Sequence, residues 1–284
     1  MTLDDLVAQL DSYFRVSDVR GDSLWYESVE PYWREFVEPL WLERRNGLMV
    51  RGRGDVERVV TCVFPSERIV GSLKPGTLLF SEHPLDLADV PGFLPLSPES
   101  FRIFRERACG FYHVHAPLDM HPEVSPSRLC AEGVGLEGLE EYFPIADGIP
   151  GGAAIIGESR LTLDGLADAF RAYLGSEIGV QVLTRPRREA GRVAVAAGGG
   201  AVREILEASL ERGCQTYVTG NAATKCVLDV VQEDVRRFRE LADETGVALL
   251  DATHYGMEKP PQLAMAEWFR ARGLPADFVA EGPK

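Results

Sequence analysis

The chain has 284 residues and a formal net charge of −14, with 45% apolar and 26% charged residues. This composition is typical of a globular protein with a substantial core, arranged as one large domain or two of medium size. We expect no membrane partner, because no apolar run approaches the roughly 18–20 residues that cross a bilayer. We also expect no nucleic acid as main partner, because a chain this acidic repels phosphates.

The N-terminal segment combines an acidic start with a long helical pattern. A secretory signal peptide would begin with basic residues, so we expect a cytoplasmic protein. Apolar residues at helical spacing predict a helix over residues 2–14, with Thr2 as its N-cap. Residues 24–41 are rich in aromatic side chains, and Pro31 and Pro39 limit their apolar stripe to about two helical turns. We interpret this aromatic segment as core packing or a subunit contact rather than a ligand cage.

The next part of the chain alternates short apolar runs with helical patterns. The predicted strands are 47–50, 56–64, 77–80 and 110–115. The predicted helices are 66–73, 100–109 and 125–134. Residues 86–100 are rich in Pro, Asp and Ser and are predicted to form a loop.

From about residue 142 the pattern changes. A Gly-rich stretch, 148–157, is predicted to be a connection, and a triple glycine at 198–200 precedes a helical pattern. The predicted helices are 161–174, 201–212, 231–245 and 261–272, and the predicted strands are 179–183, 192–197, 216–219 and 247–250. This alternation favours βαβ units and therefore an α/β fold.

The five cysteines are scattered and include no C-x-x-C pair. That spacing argues against a disulfide framework and against a thiolate zinc site. Cys62 and Cys214 lie in or beside apolar runs and are predicted to be core residues. The best candidate for a basic patch, Arg185-Pro186-Arg187-Arg188 with Arg192, is typical of a solvated turn.

Three short clusters each place histidine and an acidic residue at the end of a predicted strand. They are Ser81-Glu82-His83-Pro84, residues 113–119 and residues 252–258, and they hold four of the five histidines. His254 and Glu258 are four residues apart, so on a helical turn they would share a face. Imidazole with carboxylates suits Zn, Mn, Fe, Co or Ni. Each cluster alone is typical of structural histidines, but together they predict a metal site assembled from both ends of the chain.

In this order, the three clusters resemble the Nif-three-like family of dinuclear-metal proteins, known as GTP cyclohydrolase I type-two homologues. That family carries a His-His-Pro motif, then His-Thr-x-x-Asp, then a C-terminal His-Tyr-x-x-Glu. Glu82-His83-Pro84-Leu85, His115-Ala116-Pro117-Leu118-Asp119 and His254-Tyr255-Gly256-Met257-Glu258 stand in the three places. Flanking segments agree, including Asn46-Gly47-Leu48, and the resemblance extends from about residue 44 to the end.

The resemblance implies metal ligands position by position. They are His83, Asp119, His254 and Glu258, which would hold two divalent ions per subunit, with Glu258 as our choice for the bridge. Two departures stand out, because Glu82 replaces the first histidine of the first motif and Ala116 replaces the threonine of the second. Glu82 could remain a metal ligand and favour Mn²⁺, Fe²⁺ or Mg²⁺, or one metal position could be weakened or lost.

Two residues are candidate catalytic groups. Glu82 could serve as a general base if it does not bind metal, and His115 could orient Asp119 or bound water. His113 and His121 are further candidates for proton transfer, although we expect structural roles for both. Tyr255 is expected to pack rather than to orient a substrate. The triple glycine is expected to form a tight turn rather than a phosphate site.

Together these observations predict an α/β protein with two similar lobes and a metal site in the cleft between them. The first lobe would comprise residues 1–141 and 246–284, and the second residues 142–245. The resemblance implies a homo-oligomer, a hexamer built from trimers, and a metal-dependent hydrolase acting on a small, nucleotide-like molecule. The alternative is a non-enzymatic metal-binding scaffold that delivers metal or regulates a partner.

Overall fold

The computed structural model describes residues 1–21, 32–87, 93–144, 152–185, 188–223 and 229–281. It is a mixed α/β structure with two main sheets, which confirms the predicted fold class. The described residues form two compact units, one from within Met1–Ala88, Phe93–Leu118 and Gln262–Lys284, the other from within Asp119–Pro261. The lobe boundaries drawn from the sequence stay a prediction.

The strands and helices are numbered in chain order. The strands are β1 (Gly47–Val50), β2 (Arg58–Cys62), β3 (Thr77–Ser81), β4 (Asp86–Leu87), β5 (Phe93–Leu94), β6 (Gly110–His113), β7 (Glu137–Tyr142), β8 (Ala154–Thr162), β9 (Gln181–Thr184), β10 (Glu189–Ala196), β11 (Thr216–Thr219), β12 (Ala248–Asp251) and β13 (Ala276–Phe278). The α-helices are α1 (Leu3–Phe14), α2 (Pro39–Arg44), α3 (Glu67–Ser72), α4 (Pro98–Glu106), α5 (Ala116–Asp119), α6 (Pro126–Gly133), α7 (Leu163–Leu174), α8 (Arg203–Glu211), α9 (Asp229–Thr245) and α10 (His254–Arg270).

The first unit contains a five-stranded sheet in the order β1-β6-β3-β2-β13. Strands β6, β3, β2 and β13 are parallel, and β1 is antiparallel to β6. Because parallel strands end on the same side of a sheet, the residues after β2, β3 and β6 lie at one edge. This edge, formed by residues 63–64, 82–83 and 114–115, is called the Glu82 edge below.

The second unit contains a six-stranded sheet in the order β7-β8-β10-β11-β12-β9. Its three consecutive parallel strands are β10, β11 and β12. The residues that follow them, 197–200, 220–221 and 252–254, therefore lie at one edge, called the His254 edge below. Open α/β sheets bind ligands at the carboxyl ends of their strands, so both edges are candidate ligand-binding sites.

The N-terminal helix forms as its sequence predicts. The Thr2 hydroxyl accepts a hydrogen bond from the backbone N–H of Asp5 at 3.1 Å, which confirms the predicted N-cap. The aromatic segment differs from its prediction, because the described part forms a 3₁₀ turn, Trp33–Glu35, and then α2. Pro39 begins α2 rather than limiting a longer helix, as suits a residue without an N–H at the first helical position.

Buried tryptophans and cysteines confirm the predicted core. Trp33 and Trp41 are buried in the core of the first unit. The four cysteines among the described residues, Cys62, Cys109, Cys130 and Cys214, are all buried. Burial raises the pKa of the Cys214 thiol to about 11, so this thiol stays protonated at neutral pH.

The strands β7 and β8 are absent from the sequence-based assignment. Residues 154–157 were predicted to be a connection because they are flanked by glycines, yet β8 begins at Ala154. Gly157 lies inside that strand because a Cβ there would come 2.8 Å from Cβ of Leu136. Residues 148–151 of that Gly-rich stretch lie outside the described residues. No described helix combines the length and the apolarity that crossing a bilayer requires.

Candidate metal site

The Glu82 edge holds two of the predicted site residues directly after β3. The Glu82 side chain has no exposed surface, and its Oε2 accepts a hydrogen bond from Nε2 of Gln262 at 3.4 Å. His83 is also buried, and its carbonyl oxygen accepts a hydrogen bond from the Ser81 hydroxyl. The His83 ring centroid lies 4.7 Å from that of Phe64 and 4.8 Å from that of His115. These contacts fix the plane of the His83 imidazole.

His113 is a neutral core residue. Its Nδ1 accepts a hydrogen bond from the indole N–H of Trp41 at 3.2 Å, and its ring also bonds to the Glu82 backbone. Burial, and then the neighbouring His115 and His83, hold the pKa of His113 well below its usual value. His113 therefore supports the backbone of this edge rather than transferring protons.

Asn46 positions the loop that carries His115, a role that the sequence did not predict. Its Oδ1 accepts a hydrogen bond from the backbone N–H of His115 at 2.9 Å, and its Nδ2 donates to the carbonyl of Val19 at 3.4 Å. Asn46 is buried, so both contacts are shielded from water. The available signal was an Asn-Gly pair directly before a strand, which favours a side-chain hydrogen bond to a nearby backbone.

The His254 edge begins α10 earlier than the sequence predicted. The helix was expected over 261–272, whereas it starts at His254 and contains both Pro260 and Pro261. Pro261 has no N–H for the carbonyl of Met257, and the Cys130 thiol donates to that carbonyl instead at 3.5 Å. A proline pair that indicated a helix start is therefore tolerated inside one.

Two side chains shape the turn between β12 and α10. Thr253 has a φ of 61°, in the left-handed region that β-branched residues avoid. Its hydroxyl accepts from the N–H of Gly256 at 3.0 Å, and Asp251 accepts from the N–H groups of Thr253 at 3.0 Å and Ala223 at 2.8 Å. Asp251 was also missed, although an Asp that ends an apolar strand is typical of such turns.

His254 and Glu258 form the central pair of this edge. Nε2 of His254 lies 2.7 Å from Oε1 of Glu258, one helical turn along α10, and Glu258 is buried. Burial alone lowers the pKa of His254, but the Glu258 carboxylate raises it, and the charges of Asp119 and Asp251 act in the same direction. The pKa of His254 therefore lies above its usual value, because negative charge outweighs desolvation.

Glycine makes room for this pair. Gly198 has a φ of 57°, and a Cβ there would overlap Oε1 of Glu258 and lie 3.2 Å from Nε2 of His254. A Cβ on Gly220 would lie 2.8 Å from both the Gly198 carbonyl oxygen and Cα of His254. The glycines therefore allow close backbone approach, as expected for a tight turn in the triple glycine.

Three predicted ligands are brought together. One ligand atom each from His83, His254 and Glu258 lies within 4.8 Å of the other two, so these side chains form a possible metal-binding triad. Glu82 and Asp119 are outside this triad; Glu82 pairs with Gln262, and Asp119 acts on His254 through its charge. The roles of all predicted site residues, including His115, stay predictions.

The two remaining candidates have structural surroundings. Nδ1 of His121 accepts hydrogen bonds from the backbone N–H groups of Glu123 at 3.2 Å and Val124 at 3.3 Å, so it caps a turn. Tyr255 packs, half-buried, against the core of the second unit. Both positions match the structural roles expected from the sequence.

Two curated relatives and one solved structure illustrate what the chain is similar to. A Haemophilus influenzae protein named GTP cyclohydrolase 1 type 2 homolog is 21% identical over 239 residues, which cover 82% of this chain and 88% of that protein. A Yersinia pestis protein of the same name is 25% identical over 229 residues, covering 78% and 83%. The solved structure of reduced HcgD from Methanocaldococcus jannaschii matches with a TM-score of 0.68 and 17% identity, over 99% of this chain and 98% of that one, and shares its fold.

The resemblance drawn from the three histidine clusters is confirmed at the level of the family. The sequence profile of Duf34/NIF3 (NGG1p interacting factor 3) matches residues 43–279, which is most of the chain. The match begins after the aromatic N-terminal segment and includes all three clusters. The chain therefore belongs to the Duf34/NIF3 family.

Proposed function

We propose that the protein is a metal-dependent hydrolase with a dinuclear centre that acts on a small, nucleotide-like molecule. The observation that carries this proposal is the pair His254–Glu258, in which a buried carboxylate lies 2.7 Å from an imidazole. A buried carboxylate needs a compensating charge, and a divalent cation supplies one. The name GTP cyclohydrolase 1 type 2 homolog, carried by relatives, suggests the substrate class.

The residues present fit divalent metal. The donor set combines imidazole and carboxylate, which suits Zn, Mn, Fe, Co or Ni. Glycine at position 198 carries no Cβ, which would overlap the Glu258 carboxylate. His83, Asp119, His254 and Glu258 would hold the ions. Bound divalent ions supply Lewis acidity and lower the pKa of a water molecule towards neutrality.

Side chains of the protein carry out the proton transfer and position the reactants. Glu82 accepts the proton that the attacking water loses, and the water oxygen forms a bond to an electrophilic ring carbon of the substrate. The carbon–nitrogen bond then breaks, and the leaving nitrogen takes the proton back from Glu82. His115, whose backbone is held by Asn46, orients Asp119 or the water. A second candidate role for Glu82 is metal ligation in place of proton transfer.

We also propose that the protein is a homo-oligomer, with a hexamer as the expected state. Family membership supports this proposal. Light scattering on the full chain measures the mass directly. A monomer at micromolar concentration would contradict it.

The test of the metal centre compares two acids on the same helix. Elemental analysis of untagged protein, purified without chelator, should find about two divalent ions per subunit. Glu258→Gln should lose this metal and lower GTP turnover at least about 100-fold, because a ligand and its charge are removed. Glu267→Gln is the matched control, since Glu267 is exposed on α10 and pairs with Arg270. It should retain both metal and turnover.

Two outcomes would change the proposal. A wild-type protein with no stoichiometric metal contradicts the metal centre itself. Stoichiometric metal without turnover across a panel of nucleotides and related cyclic amidines supports the non-enzymatic scaffold, in which metal loading would alter partner binding instead.

A further inference from the structure

Gln262 is a buried polar residue that none of the predicted motifs includes. It lies in α10, directly after Pro260 and Pro261, and has no exposed surface. Its backbone carbonyl accepts a hydrogen bond from the hydroxyl of Thr61, a buried residue of β2, at 2.8 Å. Because β2 neighbours β3, this contact ties Gln262 to the sheet that carries Glu82.

Among the residues that the structure describes, the Gln262 carboxamide makes a single polar contact. Its Nε2 donates to Oε2 of Glu82 at 3.4 Å. Among the described residues, Oε1 of Gln262 has no hydrogen-bond partner. An unmatched amide oxygen in a dry environment is costly, and an apolar side chain of similar size would fill the same space without that cost. Packing alone therefore does not explain a glutamine at this position.

Glu82 explains it. A fully buried carboxyl group requires hydrogen-bond donors, and the Gln262 carboxamide N–H₂ supplies one. The contact also fixes one carboxylate oxygen, so rotation of the Glu82 side chain is restricted and its second oxygen points in one direction. A residue that binds metal or accepts a proton must be held in this way to work efficiently.

We propose that Gln262 is the positioning residue for Glu82, acting on the metal or the attacking water only through that carboxylate. This inference rests on the proposed function, because it assigns Glu82 a role in that site. Gln262 is also one helical turn after Glu258, in a continuous helix, so one stripe of α10 carries His254, Glu258 and Gln262 at intervals of four residues.

The test measures Mn²⁺ affinity by calorimetry on the full chain after removal of bound metal. Gln262→Met keeps the side-chain volume and removes the donor, and it should weaken Mn²⁺ binding about 10–100-fold. Glu82→Gln should weaken binding at least as much. The double variant should match Glu82→Gln alone, because position 262 acts through Glu82. Gln181→Met, at an exposed position of β9, is the control and should bind as the wild type does.

Two results would overturn the proposal. One is wild-type Mn²⁺ affinity in Gln262→Met, and the other is an affinity loss in the double variant equal to the product of the two single losses. If Gln262→Met does not fold, Gln262→Asn keeps the amide, shortens its reach and should give the same loss.

A second measurement separates this inference from the proposed function. If the wild type binds no Mn²⁺, the proposed function fails, and a crystal structure of metal-free Gln262→Met still decides the role of Gln262. The positioning role predicts a changed Glu82 side-chain rotamer with the backbone of residues 81–83 unmoved. An unchanged Glu82 rotamer in that crystal would refute it.

Discussion

The Glu82 edge and the His254 edge follow the same topological rule but are held by different contacts. At the Glu82 edge, side chains hold side chains: the His83 ring packs against those of Phe64 and His115, and Trp41 donates to His113. At the His254 edge, the backbone itself comes close, with Gly198 and Gly220 against the start of α10. The first arrangement depends on ring packing, whereas the second has no room for a methyl group at Gly198 or Gly220.

The largest loss of stability is expected at the His254 edge. Gly198→Ala should lower the free energy of unfolding by about 3 kcal/mol, because it combines a left-handed φ with overlap of the new Cβ and Glu258. Metal should be lost as well, since the Glu258 carboxylate must move. Chemical denaturation and elemental analysis measure the two effects.

The neighbouring glycine supplies the control. A Cβ on exposed Gly199 would lie 3.9 Å from Cε1 of His254, an ordinary contact. Gly199→Ala should therefore change stability by no more than about 0.5 kcal/mol. Equal losses in the two variants would show that close approach at Gly198 is not what shapes this edge.

A smaller difference in stability is expected between variants of two asparagines, one at each edge, whose side chains both accept a hydrogen bond from a backbone N–H. Asn46 accepts from the N–H of His115 at 2.9 Å, and Asn221 accepts from the N–H of Ala201 at 2.8 Å. Asn46 is buried and Asn221 is half-buried. Asn46→Ala should cost about 2 kcal/mol and Asn221→Ala about 1 kcal/mol, because water can replace the lost partner only at the more open position. Urea unfolding measures both, and the reverse order would contradict the contrast in packing.

The smallest effect concerns the pH dependence of the Glu82 edge. Burial, with His115 and His83 nearby, depresses the pKa of His113, so the unfolded chain binds a proton at this residue before the folded chain does. Its contribution to stability is complete above the unfolded histidine pKa of about 6.5 and falls as the pH drops below that value. The slope contributed by this one group is at most about 1.4 kcal/mol per pH unit.

His113→Gln removes that titration. Between pH 7.5 and pH 5, the free energy of unfolding should therefore change less steeply with pH for the variant than for the wild type. The difference in slope should reach at most about 1.4 kcal/mol per pH unit, which corresponds to one proton. Parallel curves for the two proteins would mean that His113 has the same pKa in the folded and the unfolded chain, contrary to its burial and to the hydrogen bond that its Nδ1 accepts from Trp41.

Apolar periodicity predicted most of the elements that carry the two edges. The strands β3, β6, β11 and β12 are short and fully buried, and a polar residue follows each of them within two positions. Burial of both faces of these strands requires continuous apolar sequence, so they are easy to recognise. The clusters containing His83 and His254 were found for the same reason, because each follows such a strand.

The missed elements are those whose stability comes from tertiary contacts. Strand β7 is rich in glutamate and mostly exposed, and its pairing with β8 rather than its own apolar pattern makes it a strand. The start of α10 depends on Thr253 and on a thiol that replaces the missing N–H of Pro261. Asn46, Asp251 and Gln262 each form a hydrogen bond to a residue distant in the sequence, and no local pattern identifies that partner.

The buried thiols give the molecule a built-in reporter of conformational opening. Cys62, Cys109, Cys130 and Cys214 are enclosed, and burial raises the pKa values of Cys109 and Cys214. Alkylating reagents attack thiolates that they can reach, so labelling at these four positions proceeds only when the surrounding structure opens. The thiol of Cys130 donates to a carbonyl of α10, so the labelling rate of Cys130 would report how often the helix that carries His254 and Glu258 opens.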